Sequence, residues 1–363
     1  MKHLLYTLLL GVFLTSCYRK IDLDEYRTTP KIVINSVVSP DTVVMASITR
    51  TWFYPDKKPY VNLPHAHVEL YINNQYIETM QWKTLNNPRN PDQPDTLFLS
   101  NTIPAEGDRI KIVASTPEYG TVTAEDIIPK KVPIKNASHT IKKGNGVYQG
   151  TISDYFEIYY EVTFDEFPEK NNYYLAKITQ IKTGYYGYYE TEIDYIDPVF
   201  KEQDAILDES MAFNGLEKRG GALFTDQSIN GQTYTLQIKE TTAELDETEQ
   251  RIISIYSLSE SYFLYLLSLQ KIAGSTLEGG LGNIGLAEPL RVYSNVEGGT
   301  GILGGNQHSE TTITLNNPSK KYLIMDTLQQ APALWYWSEP ASGYSIEDCE
   351  QIVAEEMQTA KAD

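Results

Sequence analysis

The chain has 363 residues, of which 41% are hydrophobic and 21% are charged. This balance is ordinary for a globular protein, and the length allows two domains of the usual size. The formal net charge of −18 argues against nucleic acid or an anionic lipid surface as the partner, because both attract basic proteins. Two cysteines, Cys17 and Cys349, are too few for a disulfide framework or a cysteine metal site.

The N-terminus has the pattern of a lipoprotein export signal. Lys2 supplies a positive charge, and the apolar run from Leu4 to Leu14 is too short to cross a bilayer, which needs about 20 residues. Leu14-Thr15-Ser16-Cys17 then matches a lipobox, in which cleavage exposes the cysteine to acylation. We predict a signal peptide over residues 1–16, lipid on Cys17 and a tether over residues 17–29, which anchor the chain to a membrane. An ordinary secretory signal with a chance cysteine is the alternative.

The first half of the mature chain is rich in β-strand patterns. Asn73-Asn74 separates two of these strands and tolerates the left-handed conformation that a tight hairpin requires. Short segments without helical periodicity indicate an antiparallel sandwich, immunoglobulin-like or transthyretin-like, over residues 30–129. The predicted strands span residues 31–38, 42–50, 66–72, 75–81, 95–100, 108–116 and 120–127.

A second, larger β domain is predicted over residues 134–341, after a proline-containing linker at residues 128–133. Its clearest strand is Phe156 to Asp165, where apolar and polar residues alternate. The stretch from Thr183 to Gly231 is expected to be a long irregular connection, functional or poorly ordered. Further strands are predicted at residues 172–182, 232–240, 309–316 and 320–328.

One helix is predicted near residues 258–273, packed against this second domain. Ser257 followed by Glu260 three residues later has the form of a capping box, and Gly274 suits the C-terminal end. Residues 342–363 are predicted to form a polar tail, with a short exposed helix over residues 346–360.

Three patterns suggest chemistry but have simpler explanations. Gly299 to Gly304 matches G-x-G-x-x-G, but a strand follows where a dinucleotide site needs a helix, so tight turns or close backbone contacts explain the glycines better. His65 and His67 lack an identifiable third metal ligand. The acidic run from Glu190 to Glu209 does not have calcium-loop spacing and is expected to be a solvated loop. We therefore expect no metal and no cofactor, and no catalytic motif supports an enzyme.

Tyrosine is abundant, with 27 residues in the chain. The candidate binding loop is the cluster formed by Tyr185, Tyr186, Tyr188 and Tyr189. A tyrosine ring offers a flat apolar face and a hydroxyl, which suit contacts with a glycan or a protein. The alternative is that these are ordinary strand residues, since tyrosine is common in sheets.

Two stretches carry a resemblance to a known family. Ser261 to Leu269, followed by Glu288-Pro289-Leu290-Arg291-Val292-Tyr293-Ser294-Asn295-Val296-Glu297-Gly298-Gly299-Thr300-Gly301-Ile302, resembles an uncharacterised lipoprotein family of Bacteroidota, domain of unknown function 4249. Lys31 to Asn35, after a short acidic tether, is similar as well. Members often carry paired cysteines near the C-terminus, whereas this chain has Cys349 alone. A structural role is expected for the motif residues Glu288, Pro289, Asn295, Gly298, Gly299 and Gly301.

The resemblance implies an outer-membrane lipoprotein, often produced beside a TonB-dependent receptor, and it implies no chemistry. Asp22, Asp24 and Glu25 are similar to the acidic signals that direct such lipoproteins to the cell surface, although Tyr18-Arg19-Lys20 interrupts the pattern. We therefore expect a binding or accessory protein that partners a TonB-dependent receptor in nutrient uptake, on the cell surface, with the periplasmic face of the outer membrane as the alternative. A structural or adhesive surface protein, and a hydrolase on a β scaffold, are the alternatives.

Overall fold

The computed structural model describes residues 23–57, 59–85, 95–148, 151–169, 171–181, 191–201, 206–207, 220–242, 245–246, 248–277 and 291–318. In this part of the chain the fold is mainly β, as the sequence predicts, with eighteen strands in three sheets. A short 3-10 helix, Leu23–Tyr26, precedes the first strand. The predicted strand at residues 320–328 and the predicted helix at residues 346–360 lie outside the described residues.

The first half of the chain forms a sandwich of two sheets. Its strands are β1 (Ile32–Val38), β2 (Met45–Arg50), β3 (His67–Ile72), β4 (Gln75–Thr79), β5 (Gln81–Leu85), β6 (Asp95–Leu99), β7 (Arg109–Thr116) and β8 (Gly120–Ile127). β1, β2, β6 and β5 lie at one end of a nine-stranded sheet, and β8, β7, β3 and β4 belong to a five-stranded sheet. Alternate side chains point between the sheets and form the first core, which includes Ile32, Ile34, Ile48, Val68, Leu70, Ile110 and Ile112.

The predicted hairpin at Asn73 and Asn74 is confirmed, because both residues have positive φ angles of 53° and 66°. The strand predicted at residues 75–81 is wrong in one respect. The chain changes sheets at the buried residue Met80, so that β4 pairs with β3 and β5 pairs with β6. The Met80 amide donates to the Val68 carbonyl at 2.8 Å, which fixes the crossing point.

The second half of the chain builds another sandwich. Its four-stranded sheet, in the order β12-β15-β10-β9, packs against the other part of the nine-stranded sheet. The elements are β9 (Ile134–Tyr148), β10 (Thr151–Asp165), β11 (Tyr173–Ile181), β12 (Thr191–Asp194), α1 (Pro198–Lys201), β13 (Ile206–Leu207), β14 (Gly221–Thr225), β15 (Thr233–Thr242) and β16 (Thr248–Leu258). The second core lies between the sheets and includes Ile158, Val162, Phe164, Tyr174, Phe224, Leu236, Ile238, Ile253 and Ile255.

Several of these elements differ from the sequence prediction. β9 and β16 were not predicted, and the stretch from Thr183 to Gly231 contains β12, α1, β13 and β14 in its described parts. β9 is an edge strand with a mostly polar sequence, so it lacks the apolar alternation that identifies a half-buried strand. β16 is buried on both faces, with Ile253 on one side and Ser254 on the other, which also removes the alternation.

The two halves share one sheet through a single long strand, β18 (Thr300–Asn316). Thr300 to Gly305 pairs in parallel with β1, and Asn306 to Asn316 pairs antiparallel with β16. Just before it, β17 (Val296–Glu297) pairs with β8 in the five-stranded sheet. The linker predicted at residues 128–133 lies between the segments that form the two cores. The chain nevertheless returns to the first sandwich, because the Asn295 side chain donates to the carbonyl of Glu125, a residue 170 positions earlier in β8.

Helix α2 (Glu260–Leu277) covers the outer face of the nine-stranded sheet. Ser259 caps it, because its hydroxyl accepts a hydrogen bond from the Tyr262 amide at 3.2 Å. The predicted cap at Ser257 is wrong, since this residue still belongs to β16, and the helix continues past Gly274. Its apolar face packs on Leu175, Leu223, Leu258 and Ile302. Among the described residues, no helix has both the length and the apolar composition that crossing a bilayer requires.

A buried ion pair connects the two sheets of the second sandwich. The Arg251 side chain is 1% exposed and that of Glu240 is 0% exposed. The guanidinium donates to Glu240 at 2.8 Å and to Glu249 at 2.7 Å, and the Tyr160 hydroxyl and the Gln180 amide also donate to Glu240. Burial, reinforced by the Glu240 carboxylate, raises the pKa of Tyr160, so its hydroxyl remains a donor.

Substitution of Glu240 by Ala should lower the free energy of unfolding by about 3–5 kcal/mol, because it leaves a buried arginine without its main counter-ion. The measurement is urea unfolding followed by circular dichroism. The control is Lys135→Ala, which removes an exposed ion pair to Asp165 and should leave the free energy of unfolding nearly unchanged. Similar small losses for both variants would show that the buried pair does not stabilise the fold.

Candidate functional site: the polar junction and the aromatic loop

The glycines of the family motif lie where β18 enters the first sandwich. A Cβ atom on Gly299 would lie 2.5 Å from the Ile32 carbonyl oxygen, and one on Gly301 would lie 2.0 Å from that of Ile34. Gly298 and Gly301 also have positive φ angles of 77° and 110°. Only glycine fits such close backbone contacts without displacing β1.

Asn295 completes the hydrogen bonding at this point. Its side-chain amide donates to the Leu303 carbonyl at 2.8 Å and to the Glu125 carbonyl at 3.2 Å, and its side-chain oxygen accepts from the Leu303 amide at 3.0 Å. One side chain thus joins the backbone of β8 to that of β18, which lie in different sheets. Together with Gly298 to Gly305, Asp126 and Ser259, it forms what we call the polar junction.

Asp126 is the charged centre of the polar junction. Its carboxylate accepts hydrogen bonds from the Ser259 hydroxyl, from the Gly305 amide at 2.9 Å and from the Ile127 amide at 2.9 Å. These donors belong to the helix cap, to β18 and to β8, so one side chain holds three elements together. Burial raises the pKa of Asp126 to about 6, even though the three hydrogen bonds favour its ionised form.

Two further buried carboxylates lie in loops at one end of the second sandwich. Glu166 accepts from the Tyr174 hydroxyl and the Asn172 amide, both at 2.9 Å. Asp226 accepts from Asn172 at 3.2 Å and from Asn230 at 3.3 Å. Burial raises the pKa of Glu166. These bonds join the loop between β10 and β11 to the loop between β14 and β15, and they give both carboxylates a structural role.

The described residues contain no group of three or more histidine, cysteine, aspartate or glutamate side chains placed to hold a metal ion. His67 is exposed, and its Nε2 lies 3.2 Å from Glu69. The acidic run is only partly a solvated loop, because Asp197 is buried. The Asp197 carboxylate accepts hydrogen bonds from the Tyr234 hydroxyl at 2.7 Å and from the Gln237 backbone amide at 3.0 Å. It thereby fixes the start of α1 to β15.

An exposed aromatic segment, residues 51–60, lies between β2 and β3, and we call it the aromatic loop. Tyr54 is 88% exposed, Tyr60 69% and Trp52 39%. The loop is closed at its base by the Arg50 amide, which donates to the Val61 carbonyl at 2.9 Å. Large exposed aromatic groups on one short loop are unusual for a soluble surface and indicate a contact site. None of the site residues predicted from the sequence lies in this loop, although Trp-Phe-Tyr-Pro at residues 52–55 is a visible signal of it.

The aromatic loop is fastened to the N-terminal tether. The Arg27 guanidinium donates two hydrogen bonds to Asp56, at 2.7 and 2.9 Å, and a third to Asp24 at 2.9 Å. It also lies over the Phe53 ring, 4.4 Å from the ring centroid. The arginine hydrogen bonds lower the pKa of Asp56, so the carboxylate stays ionised in this bidentate pair.

The other predicted site residues do not all fall in the described structure. Asn295, Gly298, Gly299 and Gly301 come together at the polar junction. The remaining predicted positions lie outside the described residues: Cys17, Tyr185, Tyr186, Tyr188, Tyr189, Glu288, Pro289 and Cys349.

The match to a family model spans most of the fold. The model described as Domain of unknown function (DUF4249) matches residues 19–312. The chain belongs to the DUF4249 family. The matched region includes residues 19–29 of the tether, the aromatic loop and the polar junction. No curated protein matches the chain.

Substitution of Gly299 by Val should lower the free energy of unfolding by about 3 kcal/mol or more, because the new side chain meets the Ile32 carbonyl and the Val122 side chain. The control is Gly120→Ala, where a Cβ meets nothing within 4 Å and only the positive φ of 77° adds about 1–2 kcal/mol. Thermal unfolding measures both. A Gly299→Val protein with unchanged melting temperature but lost partner binding would make the polar junction an interface instead.

Asp126 predicts a pH dependence of stability. Because its pKa is raised to about 6 in the folded state from 3.8, the folded protein binds more protons than the unfolded chain between these values. The contribution of Asp126 to stability therefore falls by about 2 kcal/mol as pH rises from 4 to 6. In urea unfolding at several pH values, the stability of the native protein relative to Asp126→Asn should fall over this range.

The control for this series is Asp165→Asn. The Asp165 carboxylate is exposed, and hydrogen bonds from Thr233 and Lys135 lower its pKa. Its contribution to stability should therefore be lost as pH falls, which is the opposite direction, and should be small because the group is exposed. A pH-independent difference between the native protein and Asp126→Asn would contradict the raised pKa of Asp126.

Proposed function

We propose that this protein is an outer-membrane lipoprotein, anchored by lipid on Cys17, that acts on the cell surface as a binding or accessory component of a TonB-dependent receptor in nutrient uptake. The observation that carries the proposal is the apolar segment followed by Leu14-Thr15-Ser16-Cys17. The resemblance of the motif at residues 288–302 to a lipoprotein family supports the partnership with a TonB-dependent receptor, because lipoproteins of that family are often produced beside one.

The geometry of the described residues is compatible with a binding role. The buried carboxylates of Asp126, Glu166, Asp226 and Glu240 are each engaged by hydrogen-bond donors of the fold. A general acid or base needs access to a substrate, and these groups lie inside the protein. The exposed aromatic side chains of Trp52, Tyr54 and Tyr60 instead offer a surface suited to non-covalent contacts.

A structural or adhesive surface protein is the second candidate, and one observation favours it. The nine-stranded sheet passes through both sandwiches, so β1 and β16 are held on either side of β18 without a flexible linker. A rigid unit of this kind can act as a spacer on a cell surface. It would not require a receptor partner.

The test uses the full chain with its native leader and a C-terminal tag, produced in cells fed a labelled fatty acid. We expect label on the protein, recovery in the outer-membrane fraction, and co-purification of a TonB-dependent receptor after cross-linking. Cys17→Ser is the matched control and should lose both the label and the membrane recovery. An unlabelled native chain would contradict the anchor, and a labelled chain that is always recovered alone would favour the spacer function.

A further inference from the structure

We infer that the aromatic loop is a membrane contact, in which Trp52, Tyr54 and Tyr60 lie in the headgroup region of the bilayer that carries the lipid anchor. The inference rests on the proposed lipid at Cys17 and adds a second, non-covalent attachment to it. Tryptophan and tyrosine concentrate at membrane–water interfaces, because their rings are apolar and their N–H or O–H groups are polar. The loop exposes these residue types on one short segment.

Chain length places the aromatic loop near the anchor. Nine residues lie between Cys17 and Arg27, so ten residue-to-residue steps join them. Leu23–Tyr26 is a 3-10 helix with a rise of about 2 Å per residue, and the remaining residues span at most about 3.5 Å each, so Arg27 lies within about 30 Å of Cys17. Arg27 bonds directly to Asp56 at 2.7 Å. The aromatic loop is therefore held close to the lipid.

The closure of the loop keeps the aromatic groups ordered and exposed. Thr51 donates its amide to the Lys31 carbonyl at 3.0 Å, and the Arg50 guanidinium donates to the Tyr60 carbonyl at 3.3 Å. At the tip, the Asp56 amide donates to the Phe53 carbonyl at 3.0 Å and forms a turn. Tyr54 projects from this turn with 88% of its surface exposed. A preformed loop loses little conformational entropy when it enters an interface.

The local charge also suits a membrane surface. Residues 50–60 contain Arg50, Lys57 and Lys58 against the single acid Asp56, which gives a local charge of +2 (three minus one) in a chain of net charge −18. Lipid phosphates therefore do not repel this segment, whereas the net charge of the whole chain opposes approach to them. The membrane would thus be met by the aromatic loop, and the acidic remainder of the fold would face away from it.

The test is tryptophan quenching in vesicles. The purified, lipidated full chain is incorporated into phosphatidylcholine vesicles that contain lipids brominated near the headgroup end of the acyl chains, and flotation verifies the anchor. We expect quenching that is lost in Trp52→Phe. Trp82→Phe is the matched control and should keep the quenched component, because the partly buried Trp82 packs edge-on against Phe98 at 5.1 Å and against the first core.

A second variant tests the attachment of the loop to the tether. Arg27→Ala removes both the Asp56 pair and the contact with the Phe53 ring, so the quenching of Trp52 should fall by more than half while flotation is unchanged. A native chain that fails to float contradicts the lipid anchor and, with it, this inference. A chain that floats without quenching of Trp52 overturns the membrane contact alone. Protection of Trp52 only after a receptor is added would make the aromatic loop a protein interface and also overturn it.

Discussion

The rest of the structure depends on the path of β18, which must pass between two strands that lie far apart in the sequence. Its first part pairs in parallel with β1 and its second part antiparallel with β16. The backbone of Gly301 lies so close to that of Ile34 that a Cβ would be 2.0 Å from the Ile34 oxygen. If this contact were lost, the nine-stranded sheet would separate into two smaller sheets, and the first core would lose Leu303, which β18 contributes to it.

The polar junction shows how a protein stabilises a contact between distant parts of its chain. Bringing β18 back to β8 closes a long loop of chain, and this costs conformational entropy. The contact also buries backbone N–H and C=O groups, each of which needs a hydrogen-bond partner. Asn295 pairs the backbone of β8 and β18, and Asp126 joins β18 to the capped end of α2. Gln307 adds a bond to Glu106 at 2.7 Å. These side chains also explain why the helix begins at Glu260 and not earlier.

The N-terminal tether is short and is bonded to a fold whose two sandwiches share one sheet. Because both sandwiches share one sheet, a fixed point near the N-terminus orients the whole molecule. The pair between Arg27 and Asp56 supplies that point, and Asp56 belongs to the same loop as the exposed residues Tyr54 and Tyr60. If the proposed anchor and membrane contact hold, the side of the molecule opposite the aromatic loop faces away from the membrane, where a receptor or a ligand can approach. The proposed anchor, the aromatic loop and the receptor partnership are thus compatible on a single body.

The sequence by itself determined the local elements: the alternating strands of the first sandwich, β10, the Asn73-Asn74 hairpin and the existence of one long helix. These follow from short-range periodicity and turn chemistry, which a single segment contains. Only the tertiary structure decided the course of β18, the choice of Ser259 over Ser257 as the cap, and the role of Asp126. Each of these depends on a partner more than 100 residues away in the sequence, and a local pattern carries no information about such a partner. The same holds for β16, whose burial on both faces hides the alternation of a strand.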